Sequence, residues 1–383
     1  MRVLHVTPSY SPATGGIEEF VRALCAYSRR TGIIEPEICV CNDGYPGVPA
    51  MEVIEGTRVR RLLCRGRGPL RWVPDVSALK ESFDVIHLHD PHVGALTARF
   101  AFAAPRRAIV LSTHGGFFHT GRFPVLKRLH FAATAPALLS RVNAVIASSE
   151  QDSAVFGRVS SRVRCIRNGV DFDRFHASRA ARIAPQGDCV YFGRLASNKR
   201  LDRLIDAFAA LDGLCAEPPL LRMVGEDFTS GALDALRARA QQRGIANRVV
   251  FHGRLSDEEL LRVVALSRFF VSASEYEGFG LSAVEAMAAG LIPLLSDIGP
   301  FRTLVRDGIN GALIDYRIAS GAAHRIASVL SLPAARLEDM RRHAMDTART
   351  YSWTARVYSF LDVYRQVLAE AERNAPRRPQ GIA

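Results

Sequence analysis

Two glutamates, Glu277 and Glu285, stand eight residues apart in the stretch EYEGFGLSAVEAMAAG. Carboxylates accept hydrogen bonds readily from vicinal hydroxyls, so the two side chains could hold a sugar and a ribose at opposite ends of one ligand. Gly278 and Gly280 lie between them and leave backbone amides exposed to an anion or to sugar hydroxyls. A plainer explanation covers Glu285 alone, because Ser282 and Glu285 fit a capping box at the start of a helix.

Two basic residues, Arg194 and Lys199, follow the apolar run CVYF at a turn from strand to helix. A guanidinium and an ammonium at such a turn could bind a diphosphate and neutralise its charge as it departs. Lys199 is one of three lysines among 50 basic residues, the others being Lys80 and Lys127. Two solvated surface charges are the alternative, but the position directly after a core strand favours binding.

Small residues also follow the apolar runs in the first half of the chain. Gly15 and Gly16 come after VLHV and begin a helix-length segment, where unpaired amides and the helix dipole attract anions. A tight turn is the alternative there. His114 follows AIVLS and precedes two glycines, which favours contact with a ligand over an ordinary loop histidine. The glycines do not match GxGxxG, so the dinucleotide-binding fingerprint is absent.

His87, His89, Asp90 and His92 form a group that could bind a metal. Since side chains alternate along a strand, His87 and His89 share one face, and that face is expected to belong to the core. The pattern therefore favours packing over a metal site. The seven cysteines are odd in number and lack CxxC spacing, which indicates reduced thiols in the cytoplasm.

The 383 residues are too many for one compact core and suit two domains. The net charge of +12 divides into +8 for residues 1–175 and +4 for the remainder, which indicates an anionic partner. No nucleic-acid-binding module is evident, so a phospholipid surface or a phosphorylated substrate is favoured. No apolar run is long enough to cross a bilayer, and the first residues are typical of a strand rather than a signal peptide.

Short apolar runs alternate with helix-length segments along the whole chain. The predicted strands are 3–6, 85–89, 108–112, 144–148, 189–192, 220–224, 248–251 and 269–273, and the predicted helices include 17–30, 199–211, 231–243 and 256–266. This alternation predicts an α/β protein with parallel sheets covered on both faces.

The predicted organisation has two doubly wound, Rossmann-like domains. They are 1–175 and 188–352, joined by a polar linker at 176–187, with an amphipathic helix at 353–371 that packs back across the linker and a disordered tail at 372–383. Ligands of parallel sheets lie beyond the carboxyl ends of the strands, so the polar residues named above are expected at two rims that face each other across a cleft.

Several local motifs occur in an order that resembles one enzyme family. They are GGIEEF, STHGGFF, ASSE, NGVD, FGRLASNK, HGRLSDEEL and EGFGLSAVEAMAAGLIPLLSD. The chain resembles the retaining GT-B glycosyltransferases of family four, and the two glutamates match that family's E-x7-E signature. The runs STHGGFFHTGRF and AVEAMAAGLIPLLSDI are similar to a subgroup that transfers α-mannose from GDP-mannose to cellobiosyl-diphosphopolyprenol in exopolysaccharide assembly.

The resemblance implies a role for each residue of the candidate site. Catalytic roles fall on His114, Arg194, Lys199 and Glu277. Donor binding falls on Gly15, Gly16, Arg194, Lys199, Glu277, Gly278, Phe279, Gly280, Leu281 and Glu285. Asp90 and His119 are expected near the acceptor. No metal or other cofactor is implied, because fixed cations replace a divalent ion.

The implied partners are a nucleotide sugar, most closely GDP-mannose, and a lipid-linked oligosaccharide. The enzyme is then expected in the cytoplasm, peripherally on the inner face of the plasma membrane. Segment 117–139 mixes phenylalanines with basic residues and could lie on anionic lipid, unless it is a helix that packs in the core.

Other functions compete with this hypothesis. Within the family, a UDP-sugar donor or another acceptor is the main alternative, and a sugar-nucleotide epimerase of GT-B shape is a more distant one. A tandem-Rossmann NAD enzyme would need GxGxxG and an acid after the second strand, where only Asp43 is near. A binding module without catalysis is disfavoured by the presence of Glu277, Arg194 and Lys199 together.

Overall fold

The computed structural model shows an α/β protein built on two separate sheets, as the sequence predicts. It describes residues 1–13, 15–42, 47–66, 70, 72–74, 76, 82–90, 93–103, 108–114, 124–178, 187–226 and 231–373. Contacts divide the chain into a first compact unit of Met1–Asn168 with Trp353–Ala383 and a second of Gly169–Ser352.

The first unit is built on an eight-stranded sheet that is parallel except at one edge. Its strands are β1 Arg2–Thr7, β2 Glu35–Asn42, β3 Met51–Ile54, β4 Thr57–Leu63, β5 Val85–His89, β6 Ala108–Ser112, β7 Ala144–Ala147 and β8 Val163–Cys165. Their spatial order is β3-β4-β2-β1-β5-β6-β7-β8, and β3 runs antiparallel to β4. The order reverses between β1 and β5, where the residues after both strands can meet a common ligand.

Helices cover both faces of this sheet. They are Gly16–Arg30, Ala95–Ala103, Pro124–Leu139, Glu150–Phe156 and Trp353–Arg373. Alternation along β1 sends Val3 to one face and Leu4 to the other, and both are fully buried. Val3 belongs to a core with Phe20 and Tyr364, whereas Leu4 belongs to a core with Phe100. Burial on both faces explains why β1, β5 and β6 are almost continuous apolar runs.

The last helix returns to the first unit. Its buried residues Trp353, Val357, Phe360 and Tyr364 recur every three or four positions, which forms one apolar stripe against the sheet. The sequence predicted a helix ending at 371, and the structure extends it to Arg373. The predicted tail 372–383 therefore begins inside the helix, and its remainder lies outside the described residues.

The second unit is built on a six-stranded parallel sheet. Its strands are β9 Asp188–Phe192, β10 Leu221–Val224, β11 Val249–Gly253, β12 Ser267–Ser272, β13 Ile292–Ser296 and β14 Ala312–Ile314. Their spatial order is β11-β10-β9-β12-β13-β14, which is the 3-2-1-4-5-6 order of a Rossmann sheet. Its helices are Phe172–Ala177, Leu201–Ala209, Ala232–Gln242, Asp257–Ala265, Leu281–Ala288, Gly299–Arg302, Ala319–Leu330 and Ala334–Arg349.

The division between the units lies earlier than the sequence-based boundary at 175. The short helix Phe172–Ala177 belongs to the second unit, because Phe172 and Phe175 are buried in a core with Val190 and Phe192. Most of the predicted linker, residues 179–186, lies outside the described residues.

The segment predicted to contact lipid is described only in part. In the helix Pro124–Leu139, Phe131, Ala135 and Leu138 are buried in the first unit, while Leu129 is exposed. Residues 115–123, with their phenylalanines and arginine, lie outside the described residues. In the described part of the chain, no helix is both long and apolar enough to span a membrane.

Candidate active site

Two neighbouring strands of the second sheet, β9 and β12, end in loops that carry the predicted donor-binding residues. The loop after β9 contains a short 3-10 turn, Ser197–Lys199, and the loop after β12 contains Glu277. The Glu275 amide donates to the carbonyl of Asn198 (2.9 Å), and Asn198 Nδ2 donates to the carbonyl of Tyr276 (3.0 Å). The loops therefore hold each other in place at the point where the strand order reverses.

Lys199 and Glu277 form an ion pair that brings two predicted site residues together. Lys199 Nζ donates to Glu277 Oε1 at 2.7 Å, and the side chains are only 13% and 11% exposed. Ser274 Oγ donates to the same carboxylate oxygen (2.8 Å), and Ser272 Oγ lies 3.0 Å from Ser274 Oγ. Within the described residues Oε2 of Glu277 makes no hydrogen bond, so it can accept one from a ligand hydroxyl.

The neighbouring charges are paired separately. Glu275 accepts from Arg200 (2.7 Å) and also pairs with Arg203 (2.7 Å), and Arg200 pairs in addition with Asp202. Hydrogen bonds from Arg200 are the main cause that lowers the pKa of Asp202. Glu275 thus binds both arginines, and among the described residues Lys199 pairs with Glu277.

The turn after β9 is shaped by close backbone contacts. The buried hydroxyl of Tyr191 donates to the carbonyl of Arg194 (2.9 Å), whose side chain is exposed. Gly225, which follows β10, has a φ of 159°, and a Cβ there would lie 1.9 Å from the carbonyl oxygen of Gly193. Only a glycine fits this contact. The ends of β9 and β10, which position Arg194, therefore approach each other more closely than a side chain at residue 225 would allow.

The helix Leu281–Ala288 begins at Gly280, which has a φ of 94° and no side-chain cap. A Cβ at Gly280 would lie 2.7 Å from Phe301, so both the conformation and the space require glycine. The capping box predicted from Ser282 and Glu285 is wrong, because Ser282 lies inside the helix rather than at its N-cap. Gly280 has no side chain to accept hydrogen bonds from the first amides of this helix, and a helix N-terminus of this kind suits a phosphate or a sugar hydroxyl.

The other predicted donor-binding residues lie around this helix. Gly278 has open space where a Cβ would stand, and Phe279 packs its ring 5.1 Å from that of Tyr351. Glu285 lies four residues after Leu281, so the two share one helix face. The structure thus brings Lys199 and Glu277 into contact, while Arg194 follows β9 and Glu285 lies in the helix after β12 of the same unit.

In the first unit, Gly15 and Gly16 lie at the start of the helix Gly16–Arg30, as predicted. The carboxylate of Glu18 accepts a hydrogen bond from Ser9 and lies so near Gly15 that a Cβ there would be 2.6 Å from Oε2. An acid in the first turn is favourable at a helix N-terminus. A diphosphate would therefore reach these amides only after the flexible Glu18 side chain turned away.

His114 follows β6 in a left-handed conformation, with a φ of 50°. Its Nε2 lies 2.9 Å from Nδ1 of His89, and its ring packs edge-on against Phe20 at 4.8 Å. Burial lowers the pKa of His114 to about 4, so its ring is neutral near pH 7. His87 and His89 are fully buried on one face of β5, which confirms their predicted place in the core.

Asp90 is buried and already serves a structural purpose. Its Oδ2 accepts from the amide of Gly94 (3.0 Å) and from the hydroxyl of Thr97 (2.6 Å), at the start of the helix Ala95–Ala103. The acceptor role of Asp90 stays a prediction, and this geometry gives it no support. His119, the other predicted acceptor residue, lies outside the described residues.

Sequence reasoning missed several residues of this arrangement. Ser274 donates to Glu277 and contacts Ser272, the last residue of β12; polar residues at a strand's carboxyl end were an available signal. His5, which contacts His89, left no such signal because it stands inside the apolar run VLHV.

Two units with Rossmann-like sheets, one with cations and a carboxylate at its switch point, are the architecture of the GT-B fold. The solved structures that the protein resembles share this fold. Sucrose-phosphate synthase from Thermosynechococcus elongatus aligns with a TM-score of 0.70 and 21% identity over 96% of this chain and 99% of that one. Anabaena HepE, solved with UDP and glucose, aligns with a TM-score of 0.67 and 20% identity over 96% and 100%.

Sequence comparisons identify the enzyme family more specifically than the fold does. The family described as Glycosyltransferase Family 4 matches residues 14–174, and Glycosyl transferases group 1 matches residues 179–349. A GDP-mannose:cellobiosyl-diphosphopolyprenol alpha-mannosyltransferase from Komagataeibacter xylinus is 33% identical over 97% of this chain and 94% of its own length. A protein of the same name from Xanthomonas oryzae is 33% identical over 96% and 97%. The chain therefore belongs to glycosyltransferase family 4.

Proposed function

We propose that the protein transfers an α-mannosyl residue from GDP-mannose to cellobiosyl-diphosphopolyprenol, in exopolysaccharide biosynthesis. The observation that carries this proposal is the similarity, over almost the whole chain, to mannosyltransferases whose names state that reaction. The ion pair of Lys199 and Glu277 supports it, because a cation and a carboxylate at the switch point suit a diphosphate and a sugar.

The reaction breaks the bond between the anomeric carbon and an oxygen of the GDP β-phosphate. It forms a bond from the same carbon to a hydroxyl oxygen of the acceptor, and the proton of that hydroxyl passes to the departing phosphate. The acceptor hydroxyl attacks the same face of the sugar ring from which the diphosphate departs, so the anomeric configuration is retained. Positive charge grows on the sugar ring while negative charge grows on the diphosphate, so the groups that stabilise both must be in place beforehand.

Each charged residue of the candidate site in the second unit then has a role in the reaction. Arg194 and Lys199 bind the diphosphate and neutralise its growing charge, in place of a divalent ion. Oε2 of Glu277 accepts from the sugar hydroxyls, while Oε1 keeps Lys199 oriented. Glu285 accepts from the ribose, and the amides of residues 279–281 bind sugar and phosphate.

Residues of the first unit contribute the remaining contacts in this proposal. His114 binds the sugar, Gly15 and Gly16 approach the diphosphate and the sugar, and Asp90 and His119 are the predicted acceptor residues. Because the proposed acceptor is lipid-linked, the proposal includes a peripheral location on the cytoplasmic face of the plasma membrane.

A donor panel tests the reaction. Purified protein with cellobiosyl-diphosphopolyprenol is given radiolabelled GDP-mannose, GDP-glucose, UDP-glucose or UDP-galactose, with and without EDTA. We expect label in the lipid fraction from GDP-mannose and no loss with EDTA. Transfer from a UDP-sugar instead would establish the second candidate function, and an isomerised donor with no acceptor consumed would establish an epimerase.

Membrane binding is tested by flotation. Liposomes of phosphatidylglycerol and phosphatidylcholine should carry the protein upward at low salt and less of it at high salt, because its net charge is +12. Absence of binding at both salt concentrations would contradict the peripheral location.

A further inference from the structure

Three histidine rings form a continuous hydrogen-bonded chain in the first unit. His114 Nε2 lies 2.9 Å from His89 Nδ1, and His89 Nε2 lies 3.0 Å from His5 Nδ1. The rings of His5 and His89 are fully buried, each on a different strand of the sheet. In the part of the chain that the structure describes, the last atom of this chain, Nε2 of His5, is buried and has no hydrogen-bond partner.

The three hydrogen-bonded histidine rings are electrically neutral. Burial lowers the pKa of His5 to about 3 and that of His114 to about 4, and it lowers the pKa of His89 well below the ordinary value. Two titratable groups lie beside these rings: His87, whose ring lies 4.2 Å from that of His89, and Tyr364, whose hydroxyl contacts His87 Nδ1 at 2.7 Å. Burial lowers the pKa of His87 and raises that of Tyr364, so both are neutral as well.

A neutral imidazole has one donor nitrogen and one acceptor nitrogen, so the direction of one hydrogen bond determines the direction of the next. In one arrangement His114 donates to His89, His89 donates to His5, and a buried N–H of His5 is left without an acceptor. In the opposite arrangement His5 donates to His89, His89 donates to His114, and the unpaired atom is a lone pair of His5. In protein backbones, buried N–H groups without an acceptor are rarer than carbonyl oxygens with an unused lone pair, and the same preference, applied to the imidazole nitrogens, favours the second arrangement.

We infer that His5 and His89 are positioning residues that hold His114 as the neutral tautomer with its proton on Nδ1. His114 Nε2 is then occupied as an acceptor, and Nδ1 is a hydrogen-bond donor with no partner among the described residues. The ring therefore donates to an oxygen of its ligand and acts neither as a base nor as a cation. That this oxygen belongs to the transferred sugar rests on the proposed function.

Phe20 protects this arrangement from water. Its ring lies 4.8 Å from His114 and 5.8 Å from His89, and it packs on Trp353 of the last helix at 5.2 Å. Water that reached the chain would offer each ring an alternative partner, and the preference for one tautomer would weaken.

A metal ion is the competing explanation, because ligand atoms of His5, His87 and His89 all lie within 4.8 Å of one another. However, His87 has Nδ1 on Tyr364 (2.7 Å) and Nε2 on Ser112 (2.8 Å), and both nitrogens of His89 are used in the chain. Metal binding would have to break these hydrogen bonds, so the imidazole chain accounts better for the cluster.

Nitrogen NMR of the intact protein with ¹⁵N-labelled histidine rings tests the inference without any substrate. The His114 signals are assigned by their loss in H114Q. We expect Nδ1 of His114 to show the shift of a protonated nitrogen and Nε2 that of a bare one, between about pH 5.5 and 8. A proton on Nε2, a charged His114 in that range, or one equivalent of bound metal by elemental analysis would each overturn the inference.

A pair of variants adds a kinetic readout. H89F removes the donor to His114, so we expect mixed tautomers at His114 and a kcat about tenfold lower, with a donor KM changed by less than about threefold. Y364F is the matched control, because it removes one hydrogen bond from a buried histidine outside the chain; tautomer and kcat should stay as in the wild type. Equal loss of kcat in both variants would show that only packing matters. The wild-type spectrum decides the tautomer even if H89F fails to fold or if the protein proves to transfer another sugar.

Discussion

Replacement of Lys199 by methionine tests the candidate site most directly, because it removes the charge and keeps most of the side-chain volume. The wild-type ammonium lies 2.7 Å from Glu277 Oε1, and both side chains are almost buried. In the variant the carboxylate keeps only the hydrogen bond from Ser274. A charge that is left partly buried without its partner is destabilising.

The size of the effect lies between two limits. Exposed ion pairs contribute roughly 0–1 kcal/mol, and breaking a fully buried pair costs roughly 3–5 kcal/mol. With exposed fractions of 13% and 11% and one remaining hydrogen bond, we expect K199M to lower the free energy of unfolding of the second unit by about 2–3 kcal/mol. For a unit of this size, that corresponds to a melting temperature lower by about 4–12 °C.

The effect on catalysis is separate and larger. A charge-assisted contact to the developing charge typically contributes about 10²–10³ in rate, so kcat should fall by that factor at temperatures where the variant is folded. The double variant K199M/E277Q has no unpaired charge, and its stability should return to within about 1 kcal/mol of the wild type. Its transfer rate should stay low, because neither charge is restored.

Thermal shift and radiolabelled transfer, measured on the same preparations, distinguish the two effects. Wild-type turnover in a folded K199M protein would remove Lys199 from the mechanism. Recovery of turnover in the double variant would show that the pair only supports the fold. Stability of K199M equal to that of the wild type would show that the ion pair is not maintained in solution.

Three further predictions follow from single contacts. G280A should lower the free energy of unfolding by about 1–3 kcal/mol in urea titrations, because a Cβ would strain a φ of 94° and approach Phe301, whereas G278A, which meets open space, should change it little. In the first unit, burial depresses the pKa of His5, His87, His89 and His114, so their contribution to stability is complete above about pH 6.5 and is lost as the pH falls toward 4, at up to about 1.4 kcal/mol per pH unit for each; a melting temperature that stays constant from pH 7 to 4.5 would contradict their burial. D90A should destabilise the first unit by about 1–2 kcal/mol through the lost hydrogen bonds of the helix Ala95–Ala103, and a much larger loss of transfer than of stability would restore Asp90 as an acceptor residue.

Most of the strands that are long apolar runs were predictable from the sequence, whereas β2, β3, β4, β8, β13 and β14 were not predicted, although β13 is fully buried. β1, β5, β6 and β9 are nearly continuous apolar runs because helices cover both faces of the sheets. β4 contains Arg58, Arg60 and Arg61, and β8 and β14 have three residues each, so none of the three contains a long apolar run. The helix after β12 was predicted, but its start was misassigned, because the conformation of Gly280 outweighed the local signal of Ser282.

The sequence by itself determined the chemical inventory of the candidate site and its location at the carboxyl ends of the strands. Arg194, Lys199 and the two glutamates could be chosen from residue type and from the strand each one follows. Only the tertiary structure decided the pairing of Lys199 with Glu277, since 78 residues separate them and the adjacency of β9 and β12 is a property of the sheet order. The histidine chain was hidden for the same reason: its members come from three segments of the sequence, and hydrogen bonds between rings depend on strand register, which no local pattern specifies.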